Sequence, residues 1–339
     1  MKKILLFTSS LNNGGAENQV LKIFNALSVN NEVKIVIARN SIISNPEIIQ
    51  LSSNKTILSF FKFLRYANSF KPDVILSTLP VPNLIAAVSK LFINKKTVII
   101  NREANFNDDK LLSRIIFRIS SSFSDIHIFN SQAVFNFYSS KYPKIKHKFF
   151  KVNNIVSKTY RKASEPLDKL TKNKASIKFL SVARLEHQKG VDILIEAFNK
   201  IRSNNAELFI LGEGSQYEQL KNLRINKNIH FLGYKNNALD FINNCDVYVQ
   251  PSRKEGMPNS LLEAILLNKM CLVSNCIGGS EEAVQNYTNG LIFKSEDIND
   301  LVRKIENLLS RESLSTNTKS NFYIDFSEEN FLKTISKLI

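Results

Sequence analysis

Short apolar runs and amphipathic stretches alternate along the chain. Runs of three to seven residues rich in Ile, Val, Leu and Phe, bounded by turn residues, predict buried β-strands. These runs lie at 4–7, 33–38, 74–77, 97–101, 126–130, 177–183, 207–211, 228–232, 246–250, 270–274 and 291–293. Predicted helices separate them at 16–27, 60–70, 83–92, 111–123, 132–140, 191–202, 215–223, 238–243, 258–267 and 301–310. This order predicts an α/β protein whose parallel sheets carry helices on both faces.

The length and a break in the pattern predict two domains. A chain of 339 residues exceeds one ordinary core and fits two domains of roughly 150 residues each. The alternation is interrupted at 157–176, a stretch rich in Lys, Thr and Ser that suits an interdomain linker. We predict Rossmann-like domains at 1–160 and 161–324, with a C-terminal helix at 325–339 that packs back on the first. Ligands of such sheets bind at the carboxyl ends of the strands, so a cleft between the domains would hold small molecules.

The net charge of +16 is concentrated in the first half of the chain. Residues 1–160 contain 22 Lys and Arg against 8 Asp and Glu, a balance of +14 that leaves +2 for the rest. Such an excess favours a polyanionic partner, namely a phosphorylated substrate, anionic lipid or nucleic acid. Segments 60–66 and 111–118 place large apolar side chains beside cations, and 141–151 adds five lysines. This combination suits binding to an anionic membrane surface, although packed helices with solvated lysines also explain each segment.

Cysteine usage and hydropathy limit the class of protein further. The three cysteines show no close pairing, which fits reduced, buried thiols in a cytoplasmic protein. The apolar start ends at Thr8, too early for an export signal. No apolar stretch approaches the roughly 20 residues of a spanning helix. The four histidines have no metal-ligand spacing.

Two loops in the second half follow predicted strands and carry cations or glycines. Arg184 and Lys189 lie in one short loop, where two cations suit a diphosphate: Arg can bind bidentately and Lys acts as a point charge. A solvated basic loop is the alternative. Gly212 and Gly214 turn a strand into a helix and nearly match the dinucleotide fingerprint of a dehydrogenase. Tyr217 stands where the third glycine of that fingerprint belongs, so the pattern is weak.

A third loop, after the strand at 246–250, holds two acids at the start of a predicted helix. Glu255 precedes the helix, Pro258 lies in its first turn, and Glu263 lies about a turn inside. A helix N-terminus attracts anions, and a carboxylate can accept hydrogen bonds from two hydroxyls of a ribose. One Glu can therefore bind a sugar beside phosphates held by the helix, although either acid could also be an ordinary solvated side chain. The candidate contacts at this terminus are Gly256, Met257, Pro258, Asn259 and Ser260.

Together these motifs resemble the retaining GT-B glycosyltransferases of the family-4 type. Glu255 and Glu263, with seven residues between them, match the E-x7-E signature, and Arg184-Leu185 with Lys189-Gly190 resembles the R-L-x3-K-G donor loop. Further matches occur in family order at Gly14-Gly15-Ala16-Glu17, Gly212-Glu213-Gly214, Phe231-Leu232-Gly233, Pro251-Ser252, Glu255-Gly256 and Gly278-Gly279-Ser280-Glu281-Glu282. The last has Glu281 where the family has Pro. The resemblance covers essentially the whole chain.

The resemblance implies a GT-B fold of two Rossmann-like domains facing across a cleft. It also implies a nucleotide-diphosphate-sugar donor, retention of the anomeric configuration, and no required metal or other cofactor. Arg184 and Lys189 would neutralise the leaving diphosphate, Glu263 would bind the ribose, and Glu255 would contact the transferred sugar. The glycines of the matched motifs would approach the donor: Gly14, Gly15, Gly212, Gly214 and Gly233.

On the acceptor side the sequence departs from many relatives. They carry a His after the fourth strand of the first domain, whereas residues 101–103 here read Asn-Arg-Glu. Arg102, Glu103 and Asn83 are therefore candidates for acceptor or sugar contacts. The resemblance implies a UDP-linked hexose or N-acetylhexosamine donor and a polyprenyl-diphosphate-linked glycan acceptor. It places the enzyme in bacterial surface-polysaccharide assembly, peripheral on the inner face of the plasma membrane.

Two other functions fit parts of the sequence. One is a glycosyltransferase with a soluble small-molecule acceptor. The other is a non-catalytic, basic nucleic-acid-binding protein. The motif set favours the transferase, so no nucleic-acid partner is expected.

Overall fold

The chain forms two compact α/β units. The structure, a computed structural model, describes residues 1–11, 14–39, 47–51, 56–106, 111–156, 167, 170, 176–288, 290–311, 314 and 317–339. One unit comprises Met1–Ile155 with Asp325–Ile339, and the other comprises Val156–Ile324. The predicted linker at 157–176 and the predicted boundary at residue 160 lie outside the described residues, apart from positions 167, 170 and 176.

The first unit is built on a seven-stranded sheet with strand order β3-β2-β1-β4-β5-β6-β7. Its neighbouring strands all pair in parallel. The strands are β1 (Lys3–Thr8), β2 (Glu32–Ile37), β3 (Ile48–Gln50), β4 (Val74–Thr78), β5 (Val98–Glu103), β6 (Ile126–Phe129) and β7 (Phe149–Lys151). The helices between them are α1 (Gly15–Ser28), α2 (Thr56–Phe70), α3 (Pro80–Ser89), α4 (Leu111–Phe123) and α5 (Gln132–Lys141).

Apolar side chains on both faces of this sheet explain why the strands read as continuous hydrophobic runs. Successive side chains of a strand point to opposite faces. On one face, Leu6 and Ile100 pack with Val20 of α1 in a single core cluster. On the other face, Leu5 packs with Phe63 of α2 in a second cluster. A sheet buried on both sides presents its functional groups at the strand ends, where the loops begin.

The second unit is built on a six-stranded parallel sheet with strand order β10-β9-β8-β11-β12-β13. Its strands are β8 (Ile177–Val182), β9 (Ala206–Leu211), β10 (Ile229–Gly233), β11 (Val247–Gln250), β12 (Met270–Ser274) and β13 (Leu291–Phe293). Its helices are α6 (Val191–Lys200), α7 (Tyr217–Leu223), α8 (Ala238–Asn244), α9 (Asn259–Leu266), α10 (Gly279–Tyr287), α11 (Ile298–Leu309) and α12 (Ser320–Asp325). The central neighbours β8 and β11 place the loops after residues 182 and 250 side by side.

The last helix returns to the first unit. Helix α13 (Glu328–Ser336) contributes Phe331 and Ile335 to the core cluster that contains Leu6 and Val20. Asn153 Nδ2 also donates to the carbonyl of Asp325 at 3.0 Å. Both contacts tie the C-terminal segment to the sheet on which the chain begins.

The α/β prediction is confirmed, with differences in short elements. Strands β3 and β7 have three residues each, and the sequence pattern missed both because such short edge strands carry little periodicity. Helix α10 begins at Gly279, inside a motif that reads as a turn. Among the described residues, no helix combines the length and apolar character needed to cross a bilayer.

Candidate active site

A carboxylate and an ammonium group from two neighbouring strand ends form the centre of the site in the second unit. Lys189 Nζ donates to Glu255 Oε1 at 2.6 Å. Lys189 ends a short 3-10 turn after β8, and Glu255 follows β11. Because parallel neighbours end at the same edge of the sheet, residues 66 positions apart in sequence meet here. The predicted diphosphate-binding lysine and the predicted sugar-binding glutamate are thus in direct contact.

Three donors converge on one oxygen of Glu255. Besides Lys189, Ser252 Oγ donates to Oε1 at 2.7 Å and Gln250 Nε2 at 3.1 Å. Tyr248 supports this arrangement because its hydroxyl donates to Gln250 Oε1 at 2.9 Å. Among the described residues none hydrogen-bonds to the second oxygen, Oε2. The carboxylate is therefore held in one orientation, with one oxygen left for a ligand.

Arg253 joins the loop that holds Lys189 to the loop that holds Glu255. Its guanidinium binds Asp192 bidentately, at 2.8 and 2.7 Å, and also donates to the carbonyl of His187 at 2.7 Å. Its backbone N–H donates to the carbonyl of Gln188 at 2.9 Å. Burial opposes ionisation of Asp192, but the hydrogen bonds and charge of Arg253 leave the pKa of that carboxyl lowered. Arg253 was not predicted from the sequence, although it stands only two residues before Glu255.

Two glycines allow the loops to approach so closely. Gly190 has a φ of +64°, and a Cβ there would lie 2.0 Å from the carbonyl oxygen of Pro251. Gly278 has a φ of +151°, and a Cβ there would lie 2.0 Å from the carbonyl oxygen of Glu255. Both the backbone conformation and the space exclude a side chain at these positions. The glycines of the K-G and G-G-x-P-E motifs therefore set the position of the Glu255 loop.

The predicted glycine turn lies against the donor loop. Leu185 N donates to the carbonyl of Glu213 at 2.9 Å, next to Gly212 and Gly214. Gly212 N donates to the carbonyl of Gly233 at 2.9 Å, which brings the third predicted glycine to the same edge. Arg184 itself is exposed to solvent.

Beside that turn, Glu186 binds Ser215, which lies two residues before helix α7 begins. Its carboxylate accepts hydrogen bonds from Ser215 N at 3.0 Å and Ser215 Oγ at 2.7 Å. These two bonds, backbone first, lower the pKa of Glu186. No sequence pattern indicated a role for Glu186, because its partner Ser215 is 29 residues away.

Helix α9 begins one residue later than predicted. Pro258 is the N-cap, with φ −72° and ψ 123°, so it precedes the helix and the prediction that it lies in the first turn is wrong. Its extended ψ keeps it out of the helical backbone. Gly256 and Met257 are buried just before it. Asn259 and Ser260, the first two helical residues, are partly exposed.

Three members of the predicted α9 set lie within the helix, namely Asn259, Ser260 and Glu263. Ser260 Oγ donates to the carbonyl of Val182 at 3.3 Å, which ties the start of α9 to the end of β8. Glu263 is partly exposed on the following turn. In the first unit, Gly14 is the N-cap of α1 and Gly15 its first residue.

The three predicted acceptor residues do not form one set. Asn83 Nδ2 donates to Glu103 Oε1 at 2.9 Å, and both line a small pocket with Phe117 and Tyr138. Arg102 points to the opposite face of the sheet, where its Nη2 donates to Asn154 Oδ1 at 2.7 Å. Adjacent positions on one strand necessarily separate in this way.

Burial shifts the ionisation of both charged residues. It raises the pKa of Glu103 to about 7, against the hydrogen bond from Asn83 and the charge of Arg102. It lowers the pKa of Arg102 to about 10, against the charge of Glu103. His127 Nδ1 lies 3.9 Å from Glu103 Oε1. No ion pair forms there at neutral pH, because burial and then the charge of Lys148 lower the pKa of His127 to about 3.

No metal centre is built into the described part of the chain: it contains no group of three or more His, Cys, Asp or Glu side chains placed to hold an ion. The three cysteines are buried and free. Metal independence stays a prediction.

Comparison with known proteins finds a family match in the second half of the chain. Residues 164–324 match the family described as Glycosyl transferases group 1. An uncharacterized glycosyltransferase of Methanocaldococcus jannaschii is 30% identical over 252 residues, which are 67% of this chain and 62% of that protein. The chain thus spans less than two thirds of this relative.

Two further proteins are similar over nearly their whole length. One is the N-acetylgalactosamine-N,N'-diacetylbacillosaminyl-diphospho-undecaprenol 4-alpha-N-acetylgalactosaminyltransferase of Campylobacter jejuni. It is 26% identical over 347 aligned positions, covering 93% of this chain and 92% of the enzyme. The other, HepE of Anabaena, was solved in complex with UDP-glucose. It has a TM-score of 0.82 at 16% identity, covering 100% of this chain and 99% of that chain.

The family match includes the loops that carry Lys189, Glu255 and Gly278, and the fold match extends over the full length of the chain. Residues 164–324 therefore match the Glycosyl transferases group 1 family, and the chain has the GT-B fold.

Proposed function

We propose that the protein transfers a sugar from a nucleotide diphosphate sugar to a glycan acceptor, with retention of the anomeric configuration. The contact between Lys189 and Glu255, beside the exposed Arg184, carries this proposal. Glycosyl transfer develops positive charge on the sugar and negative charge on the departing diphosphate. Cations held in place before the reaction stabilise that charge more in the transition state than in the ground state.

Each residue has a separate role in this proposal. Arg184 and Lys189 bind the diphosphate and supply the positive charge that a metal would otherwise supply. An ammonium has three donors, so Lys189 can keep its bond to Glu255 and still bind phosphate oxygens. Glu255 offers its second oxygen to a hydroxyl of the transferred sugar, and Glu263 binds the ribose. Gly14 and Gly15 approach the phosphates.

The relatives support a choice of donor and acceptor. HepE was solved with UDP-glucose, and the name of the Campylobacter jejuni enzyme gives N-acetylgalactosamine as the sugar and a diphospho-undecaprenol-linked glycan as the acceptor. We therefore favour a UDP-linked hexose or N-acetylhexosamine as donor and a polyprenyl-diphosphate-linked glycan as acceptor. Such an acceptor belongs to the assembly of bacterial surface polysaccharide.

An exposed amphipathic helix supports peripheral contact with the membrane that holds such an acceptor. Leu111 and Leu112 of α4 are 71% and 67% exposed, and Ile115 continues the stripe one turn later. Arg114 and Arg118 are exposed on the same helix. Apolar side chains flanked by cations suit the interface of an anionic bilayer, here the inner face of the plasma membrane.

Slow donor hydrolysis tests the transferase directly. The purified chain would be incubated with a panel of UDP-, GDP- and dTDP-sugars, and release of the nucleoside diphosphate would be measured with and without a chelator. We expect hydrolysis of one UDP-sugar, unaffected by the chelator, and its loss in Lys189→Ala. A correctly folded protein that neither binds UDP nor hydrolyses any sugar nucleotide would contradict the proposal.

A further inference from the structure

Four buried polar atoms without a hydrogen-bond partner lie at the ends of four strands of the first unit. They are Thr8 Oγ1 at the end of β1, Thr78 Oγ1 at the end of β4, Arg102 Nη1 in β5, and Asn130 Oδ1 just after β6. None of them has a partner among the described residues. More than nine in ten buried polar groups of native proteins are paired, so each exception calls for an explanation.

The strand register places the four side chains on one face of the sheet. Thr78 and Arg102 are direct Cα partners, and the pairing of Phe7 with Ser77 sets Thr8 beside Thr78. Each of the four comes two residues after an apolar side chain of a single core cluster, and alternation along a strand keeps such residues on one face. Those apolar residues are Leu6, Leu76, Ile100 and Ile128. The four polar atoms therefore form a row at the carboxyl edge, where ligands of parallel sheets bind.

The charge on this row is positive and not balanced by an ion pair. Arg102 is only 3% exposed, and its other terminal nitrogen is bound to the neutral amide oxygen of Asn154. Glu103, the adjacent acid, points to the opposite face and accepts a hydrogen bond from Asn83. A buried guanidinium without a paired carboxylate is costly unless an anion completes it.

Helix α1 adds to the positive potential at this edge. Its residues Val20 and Ile23 pack on the same face of the sheet. It begins at Gly15, seven residues after β1 ends at Thr8, and has 14 residues. The N-terminus of such a helix carries a partial positive charge that favours anions nearby.

We propose that Arg102, Thr8, Thr78 and Asn130 form a subsite for a phosphoryl group in the first unit. The guanidinium and the two hydroxyls donate to phosphate oxygens, since Arg binds such oxygens in a planar, directional way. Asn130 Oδ1 accepts from a hydroxyl of the molecule that carries the phosphate. This subsite is distinct from the residues Arg184 and Lys189 in the second unit. It rests on the proposed function in that the carrier is the acceptor diphosphate or the donor diphosphate.

Inorganic pyrophosphate is the first probe, because it binds without any sugar or lipid. Titration calorimetry would use the full chain carrying Arg184→Ala and Lys189→Ala, which removes the two cations of the donor loop in the second unit. We expect pyrophosphate to bind this double variant and to bind about 10- to 100-fold more weakly once Arg102→Gln is added, the usual effect of losing a charged hydrogen bond. Arg102→Lys should retain part of the affinity. No binding to the double variant, or binding that survives Arg102→Gln, overturns the proposal.

Two further probes on the otherwise unchanged chain identify the carrier. If Arg102→Gln weakens the binding of farnesyl diphosphate and leaves the affinity for UDP unchanged, the phosphate belongs to the acceptor. If it weakens UDP, the phosphate belongs to the donor. Both results support the subsite, whereas unchanged affinity for both probes overturns it. Failure of the proposed function is separate, since it would appear as absent sugar-nucleotide hydrolysis in the wild-type chain, whatever pyrophosphate does.

A pair of threonines separates binding from a structural role. The hydroxyl of Thr78 has no partner, whereas that of Thr97, equally buried at the opposite edge of the sheet, donates to the carbonyl of Pro72 at 2.8 Å. Thr97→Val should therefore lower the melting temperature and leave pyrophosphate binding unchanged. Thr78→Val should keep or raise the melting temperature, because it replaces an unsatisfied hydroxyl by a methyl group of similar shape. The same substitution should weaken the binding of pyrophosphate. A lower melting temperature with unchanged affinity in Thr78→Val would assign the hydroxyl to structure and overturn its part in the subsite.

Discussion

At the scale of single residues, the carboxylate of Glu255 shows how one side chain can hold a cation and still offer an oxygen to a ligand. Its Oε1 takes hydrogen bonds from Lys189, Ser252 and Gln250, while Oε2 has no partner among the described residues. A carboxylate with one oxygen fixed presents the other in a defined direction, at little further cost in side-chain entropy. The position of Lys189 is fixed by the same bond, which preorganises a cation for the diphosphate.

Removing either cation of the donor loop should slow transfer. Arg184→Ala or Lys189→Ala deletes positive charge from the leaving diphosphate, and we expect turnover to fall by roughly 10²-fold or more. The melting temperature should change little in Arg184→Ala, because that side chain is exposed. Steady-state transfer assays would measure the effect. Arg202→Ala, an exposed cation of the same unit, is the matched control, and wild-type rates in both donor-loop variants would contradict the placement of the diphosphate.

The two glutamates should separate in their effects. Glu263→Gln should chiefly weaken the binding of UDP, because the proposed partner of Glu263 is the ribose. Glu255→Gln should chiefly lower turnover, because its proposed partner is the reacting sugar and UDP carries none. Calorimetric titration with UDP decides between them, with the transfer rate measured in parallel. An equal loss of UDP affinity in both variants would refute this division of roles.

The buried carboxyl of Glu103 predicts a dependence of stability on pH. Burial raises its pKa to about 7 from the ordinary value of 4.5, so the folded state retains a proton that the unfolded state releases between these values. Its contribution to stability is therefore fully present below pH 4.5 and is lost as the pH rises through 7. Between pH 5 and pH 8, we expect the free energy of unfolding of Glu103→Gln to gain about 2–3 kcal/mol relative to wild type.

Urea unfolding of both proteins at the two pH values measures this difference. Comparison of the two proteins cancels the titration of other groups, and His127 stays neutral in the folded state over this range because its pKa is lowered to about 3. A stability difference that is the same at pH 5 and pH 8 would show that Glu103 is ionised throughout.

At the scale of elements, the salt bridge between Arg253 and Asp192 joins the loop after β11 to the first turn of α6. Because the two flanking loops carry Lys189 and Glu255, this pair positions the donor site without touching the donor. Arg253→Gln and Asp192→Asn should each weaken the binding of UDP. The double variant should bind UDP only slightly more weakly than either single variant. We expect a coupling energy of about 1–3 kcal/mol in UDP affinity.

The pair Arg303 and Asp300 is the control for this cycle. It also forms a salt bridge, within α11, but its arginine is exposed and it lies outside the two donor loops. Its removal should leave UDP binding unchanged. Additive effects of the Arg253 and Asp192 substitutions would contradict a joint positioning role.

The sequence predicted the elements better than the contacts between them. Buried strands such as β4 and β12 are evident because a parallel sheet covered on both faces makes each strand mostly apolar. The start of α9 was misplaced by one residue because Pro258 fits both the N-cap and the first turn. The contact between Lys189 and Glu255 was not predicted, since no local pattern links residues 66 positions apart. The separation of Arg102 from Glu103 required knowing that both lie within β5.

At the scale of the whole molecule, charge and exposed apolar surface occur together in the first half of the chain. Residues 1–160 carry +14 of the total +16, and α4 presents Leu111, Leu112 and Ile115 to solvent. Helix α2 adds exposed Phe61 next to half-buried Lys62. The ammonium of Lys62 donates to the carbonyl of Leu51 at 2.7 Å, so this cation is less available to lipid than its charge suggests. Arg65, one turn later, is exposed.

Docking of this surface on an anionic bilayer should depend on both charge and apolar contact. Binding to vesicles that contain phosphatidylglycerol should fall as salt rises, because charges are screened beyond about 8 Å at physiological ionic strength. Replacing Arg65, Arg114 and Arg118 by Gln removes three cations worth about 1 kcal/mol each near the surface, and partitioning should fall by roughly a hundredfold. Leu111→Gln with Leu112→Gln should weaken binding at every salt concentration, because it removes the inserted apolar surface.

Ile225→Gln, at an equally exposed apolar residue of the second unit, is the control and should bind as wild type. Co-sedimentation with vesicles measures all four proteins, and UDP affinity should be the same in each. Vesicle binding unchanged by both the charge and the leucine substitutions would exclude α2 and α4 as the docking face, and the positive charge would then serve the phosphate groups of the substrates.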